Sequence, residues 1–162
     1  MLKKLLPGGD NIVPFERRGT KPLLARLNSG VKRSEQLLAD IELLKADGFD
    51  SIAIITKTAA ESREVYESLL KLGDEALQLI TKETSGFEKG VMVIPVYLAK
   101  GVEFDAVLVY DASSEAYSRD NERKLLYTAC TRAMHRLQLY TTSDWSPFIH
   151  ALPANLYEEA SY

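Results

Sequence analysis

The chain has 162 residues, a mass of 18.1 kDa and a formal net charge of −3, with 46% hydrophobic and 27% charged residues. This composition suits one globular domain that buries a core without disulfides, and it excludes a predominantly disordered chain. One Cys and two His exclude an internal disulfide and leave little for a zinc cage, and the acidic balance argues against a dedicated nucleic-acid-binding domain while still allowing a nucleic acid gripped by a few groups.

Asn11–Phe15 and Pro22–Leu27 are short apolar runs around a basic turn, Glu16–Lys21, and are expected as strands whose pairing Pro14 and Pro22 restrict. Lys32–Asp47 has a helical stripe of Leu37, Leu38, Ile41, Leu43 and Leu44, with Gly48 where a left-handed cap would sit. Ser51–Thr56 is a nearly continuous apolar run, as in a strand covered on both faces. Thr58 and Glu61 have capping-box spacing, and Val65, Tyr66, Leu69, Leu70 and Leu72 continue an amphipathic helix that Gly73 ends. Ala76–Ile80 is expected as a short strand and Thr81–Gly90 as a loop. Val91–Val96 and Ala106–Tyr110 follow as buried strands joined by Tyr97–Asp105. After the polar loop Ser113–Ser118, Arg119–Met134 forms a helix with Leu125, Leu126, Ala129, Cys130 and Ala133 inward, and Leu137–Thr141 closes the sheet. Residues 1–150 are assigned to the domain and 151–162 to a weakly patterned tail.

Strands alternating with helices at this spacing imply an α/β fold, a mainly parallel sheet with helices on both faces. Ligands on such sheets sit beyond the carboxyl ends of strands, which singles out Thr56–Thr58, Tyr97–Glu103, Asp111–Ser114 and Thr141–Ser143. The longest apolar run, Val91–Ala99, is broken by Pro95 and is far shorter than the about 20 residues of a membrane span. The first ten residues lack a signal peptide's apolar region, so a cytoplasmic protein without a membrane partner is expected.

The sequence contains no GxxxxGK[ST] phosphate loop, no GxGxxG after a strand, and neither GxSxG nor HExxH. His135 and His150 lack partners at metal-ligand spacing, so no metal site is expected. Two segments carry chemistry. In Ala99-Lys100-Gly101-Val102-Glu103-Phe104-Asp105, Gly allows close backbone approach, Lys can hold a phosphate and Glu can accept from sugar hydroxyls. In Asn121–Ala133, Arg132 stands among small and apolar neighbours, where a guanidinium wants an anion, either an internal carboxylate or a phosphate. Cys130, on the apolar face of the same helix, reads as a buried structural thiol.

KGVEFD followed by ERKLLYTACTRAMHRL resembles motifs V and VI of superfamily 1 helicases of the UvrD/Rep type, whose patterns are close to H-x-x-KG-x-EF and ER-x-L-x-Y-V-x-x-TRA. Ile52–Thr56 with Ser62-Arg63 resembles the strand–helix element that precedes motif V, so the likeness covers Ser51 to Thr142. The ACTRAMHRL ending and the absence of a large insertion between Leu72 and Val91 resemble the HelD branch, whose members associate with RNA polymerase.

The resemblance implies the second of two RecA-like domains (2A) that clamp ATP and Mg²⁺ between them, the phosphate loop lying on an amino-terminal partner domain of a longer chain. It implies that Arg132 acts as an arginine finger on the γ-phosphate, that Glu103 holds the ribose, and that Lys100 and Gly101 shape the same ATP-binding loop. Single-stranded or partly duplex DNA would meet Tyr97, which replaces the family's motif V His, together with Lys57 and Lys100. Motif IV has no counterpart before the first strand. Two other readings stay open. One is a non-enzymatic RecA-like module that binds nucleic acid or RNA polymerase through the turn Arg17-Arg18-Gly19-Thr20-Lys21; the other is a small α/β enzyme using Asp111 or Glu103 as a general base.

Overall fold

The computed structural model describes residues 20–28, 30–73 and 76–162, so the expected strand Asn11–Phe15 and most of the basic turn lie outside the described residues. In chain order the elements are β1 (Leu23–Arg26), α1 (Gly30–Ala46), β2 (Ser51–Thr56), α2 (Ala59–Lys71), β3 (Gln78–Leu79), β4 (Gly90–Pro95), α3 (Val96–Ala99), β5 (Phe104–Val109), α4 (Asp120–Thr131), β6 (Ala133–Thr141), α5 (Pro147–His150) and β7 (Glu158–Ser161). The strands form one sheet in the order β3-β4-β2-β5-β6-β1-β7, and every strand pair is parallel.

Successive residues of a strand point to opposite faces, and this divides the core. Ile52 and Ile54 of β2 join Val91, Val93, Ala106 and Leu108 on the face covered by Leu37, Ile41 and Leu44 of α1 and Val65 and Leu69 of α2. Ala53 and Ile55 turn the other way, to Ile94, Val107 and Val109, beneath Leu126, Ala129 and Cys130 of α4 and Phe148 and Ile149 of α5. The unbroken apolar run of β2 follows from this central, doubly covered position.

The termini of the helices are set locally. Thr58 Oγ1 accepts the Glu61 N–H at 3.1 Å, and Glu61 reaches back to the Lys57 N–H at 3.0 Å, one residue earlier than a reciprocal capping box would place it. Gly48 has φ +92° after α1, the left-handed cap that its position announced. On the α1 face the Tyr140 hydroxyl donates to Asp40 and Gln36 Nε2 donates to the same carboxylate at 3.0 Å. Burial pushes the Asp40 carboxyl above its ordinary value, and the two hydrogen bonds oppose that rise.

Several expectations change. Leu43 is 66% exposed, because the buried stripe of α1 runs Leu37, Ile41, Leu44 and leaves position 43 on the outer side. Leu72, placed on the stripe of α2, follows the helix as its cap and is also exposed. Helix α4 stops at Thr131, and β6 takes over from Ala133. That strand does not close the sheet, because β1 and β7 lie outside it. Residues 151–162 supply β7, paired with β1 through Glu158 N–H to Pro22 O at 2.9 Å and Tyr162 N–H to Arg26 O at 2.9 Å. Its two glutamates, Glu158 and Glu159, are exposed on an edge strand, where charge discourages further pairing, so no apolar pattern marks it in the sequence.

Candidate functional site

A crossover between parallel strands must carry the chain from a carboxyl end back to an amino end. Two such descents run side by side on the α4 face. The first leaves β4 at Pro95, makes α3, and returns through Lys100–Glu103 to Phe104, where β5 begins. The second leaves β5, enters α4 and reaches Ala133, where β6 begins. Val96 and Ala99 of the first pack in one buried cluster with Leu126, Tyr127 and Ala129 of the second.

The two descents are joined at their lower ends by backbone. The Phe104 N–H donates to the Arg132 carbonyl at 2.8 Å, and Phe104 pairs with Ala133. Glu103 and Arg132, separated in sequence by β5, a loop and α4, are thereby brought to adjoining positions at the amino ends of β5 and β6. Of the segments singled out as lying beyond carboxyl ends, Tyr97–Glu103 starts at such an end, after β4, and runs down to the amino end of β5, while Arg132 lies at the amino end of β6.

Gly101 has φ +81°, and a Cβ there would meet nothing within 4 Å. The left-handed turn that redirects the chain therefore favours glycine here. Lys100 and Glu103 are exposed on either side of that turn. Arg132 is half-buried; its Nε donates to the Thr128 carbonyl at 3.3 Å and its Nη2 to Thr131 Oγ1 at 3.0 Å. Among the described residues no carboxylate forms an ion pair with it. Of the two anions open to Arg132, the internal carboxylate is absent from the described residues.

Above this point a groove opens between the descents. It encloses about 430 Å³ between Val96, Tyr97 and Lys100 on one side and Lys124, Leu125, Tyr127 and Thr128 on the other. Tyr97 is 54% exposed along it. Tyr97 and Lys100 are thus brought together. Lys124, Tyr127 and Thr128 were missed as site residues, although their i, i+3, i+4 spacing puts them on one helix face.

Lys57 does not line this groove. Its ammonium forms an ion pair with Glu122 and lies 5.7 Å from the centre of the Tyr117 ring. Glu122 also accepts the N–H groups of Ser118 at 3.1 Å and Arg119 at 2.9 Å, at the start of α4. The Lys57 hydrogen bond, then the backbone donor of Arg119, pull the Glu122 carboxyl down to about 2 from an ordinary 4.5. A carboxyl held low in the folded state adds stability that is complete above its unfolded value and disappears as pH falls through its folded one. Melting scans of the chain should therefore show a loss between about pH 4.5 and 2 that Glu122→Gln reduces. At neutral pH the same substitution should cost about 1 kcal/mol, the solvent-facing side of the pair being screened. Asp111, considered as a general base, faces Arg33 at 4.0 Å and accepts the Ser113 N–H at 3.1 Å.

Among the described residues no helix is long and apolar enough to cross a membrane. Comparison with known proteins follows the same residues. Residues 90–140, which hold both descents, match the UvrD-like helicase C-terminal domain family. The crystal structure of the C-terminal domain of a possible DNA helicase from Lactobacillus plantarum WCFS1 is similar with a TM-score of 0.81 and 33% identity, over 98% of this chain and 91% of that one. Arterivirus nonstructural protein 10, a helicase solved with DNA, shares the fold at a TM-score of 0.51 and 12% identity, over 86% of this chain and 35% of its own. Truncated nsp10 helicase of PRRSV does so at 0.52 and 10%, over 92% and 49%. A comparison with curated proteins finds no match. With its seven-stranded parallel RecA-like sheet, and with a close-length relative at 33% identity, the chain belongs to the UvrD-like helicase C-terminal domain family.

Proposed function

We propose that this domain is the carboxyl-terminal motor half of an ATP-dependent DNA helicase or translocase. It closes on ATP held by an amino-terminal RecA-like domain that carries the phosphate loop. The observation that carries this reading is the Phe104–Arg132 backbone hydrogen bond, which sets Glu103 beside an arginine that has no carboxylate partner among the described residues. Arg132 then meets charge that develops on the γ-phosphoryl, Glu103 accepts from the ribose hydroxyls, and the Gly101 turn fixes Lys100 between them and the groove. Mg²⁺ arrives with the partner domain, since no group of three His, Cys, Asp or Glu among the described residues is arranged to hold a metal. Tyr97 and Lys100 face the DNA strand. Lys57, neutralised by Glu122, holds the start of α4 instead of the strand.

The 162-residue chain, given ATP, Mg²⁺ and single-stranded DNA, should show no turnover, because most contacts to the β- and γ-phosphates come from a phosphate loop that it lacks. The native gene product should hydrolyse ATP faster when single-stranded DNA is present. DNA-stimulated turnover that co-purifies with the 162-residue chain would overturn the proposal.

A further inference from the structure

A further crevice opens at the β7 edge of the sheet. Strand β6 is followed by α5, whose Phe148 and Ile149 pack on one face. Its neighbour β1 is followed by α1, whose Leu37, Ile41 and Leu44 pack on the other. Adjacent parallel strands whose connections leave to opposite faces open a crevice beyond their carboxyl ends, where ligands of such sheets bind. In this chain the crevice is a cavity of about 140 Å³ that shares no lining residue with the groove between α3 and α4.

Two opposite charges line it. Arg26 is the last residue of β1, and the β1–β7 register pairs it with Ser161 and pairs Leu24 with Glu159. Arg26, Glu159 and Ser161 therefore share the face on which Leu24 is buried. Arg26 Nη1 donates to the Ser143 carbonyl at 2.5 Å, and the guanidinium lies 5.9 Å from the centre of the Trp145 ring. These contacts fix the guanidinium and leave further N–H donors for a ligand. Among the described residues neither Arg26 nor Glu159 forms an ion pair, with one another or with any other side chain. Leu24, Ile149 and the Trp145 ring supply the apolar lining.

A cation and an anion that line one cavity without pairing complement a molecule that carries both charges itself. An inorganic anion would meet Glu159 as well as Arg26, and a simple amine would meet Arg26 as well as Glu159, each at a repulsive cost. The volume takes an apolar group of about six carbon atoms. We infer that this cavity binds a free α-amino acid with an apolar side chain. Its carboxylate meets the planar fork of Arg26, its ammonium meets Glu159, and its side chain lies against Leu24, Ile149 and Trp145. The inference goes beyond the motor reading and does not depend on it.

The test reads the fluorescence of the 162-residue chain, whose one tryptophan is Trp145 in the cavity wall. Titration with L-leucine, L-valine and L-methionine should give a saturating change for at least one of them. The same amino acid should raise the melting temperature as its concentration rises. Its amide, which lacks the carboxylate, and its deaminated acid, which lacks the ammonium, should each bind at least about tenfold more weakly. Arg26→Gln should abolish the preference for the amino acid over its amide. Glu159→Gln, on an exposed edge strand, should abolish the preference over the deaminated acid and leave the melting temperature without ligand unchanged. No saturating response to any of the amino acids would overturn the inference. An amide or deaminated acid that binds as tightly as the amino acid, or inorganic phosphate that gives the same response, would overturn it too. Both preferences retained in Arg26→Gln and Glu159→Gln would likewise overturn the assignment. None of these readings involves ATP turnover, so their failure leaves the motor proposal standing.

Discussion

Arg132→Ala in the native gene product should lower kcat for ATP hydrolysis by about 10³–10⁵-fold, the range an arginine finger supplies in phosphoryl transfer. The expectation follows from what surrounds the guanidinium. It stands at the end of α4, half-buried, and among the described residues it is bonded to a carbonyl and a hydroxyl of its own last turn and to no carboxylate. Those neutral acceptors orient the side chain without supplying a counter-charge. An anion that appears only when a second domain closes would meet that charge in the transition state, so the loss should fall on kcat with ATP affinity changed far less. Arg132→Lys should recover little, because a single ammonium cannot reproduce the planar fork of donors. Steady-state and single-turnover rates at saturating ATP and DNA measure both variants.

The second large effect is on folding. Phe104 is 2% exposed at the start of β5, packed in the core cluster beneath α4 and edge-on to Phe87 with ring centres 6.5 Å apart. It is also the residue whose N–H binds the Arg132 carbonyl. Phe104→Ala should destabilise the domain by about 3–5 kcal/mol, the cost of an emptied aromatic site in a packed core. That corresponds to a drop of about 10 °C in melting temperature for a chain of this size. Urea titration should show a lower midpoint with the slope unchanged. The phenylalanine of the KGVEF segment is therefore a structural element that registers one motif on the other, while its neighbour Glu103 remains free to bind.

Much of this was legible in the sequence for identifiable reasons. Ser51–Thr56 and the segments around Val93 and Val107 read as buried strands because both faces of a central parallel strand are covered, which leaves an apolar run without alternation. Thr58, Glu61 and Gly48 announced helix ends because capping is local chemistry. The KGVEF and TRA segments pointed to the family because their motifs depend on residue type, and both lie within the residues that match it. What escaped was set by tertiary placement. Edge strand β7 has no core face to pattern it. The Lys57–Glu122 pair joins residues 65 positions apart, so the sequence alone did not show that a lysine expected on DNA also pairs with a carboxylate of α4. Lys124 and Tyr127 read as ordinary positions on an amphipathic helix until α3 was laid against them. The carboxyl-end rule for parallel sheets singled out Tyr97–Glu103 but did not reach Arg132, which sits where a crossover finishes its descent.

The most direct measurement takes one substitution and reads two quantities from it: the melting temperature of the Arg132→Ala domain, and kcat of the native gene product with the same change. The two hydrogen bonds lost are exposed in part and confined to one helical turn, so the melting temperature should fall by no more than about 3 °C. The rate should fall at least about 10³-fold. A melting temperature lowered by about 10 °C or more, with kcat close to that of the unmodified protein, would make Arg132 a structural residue and contradict the account.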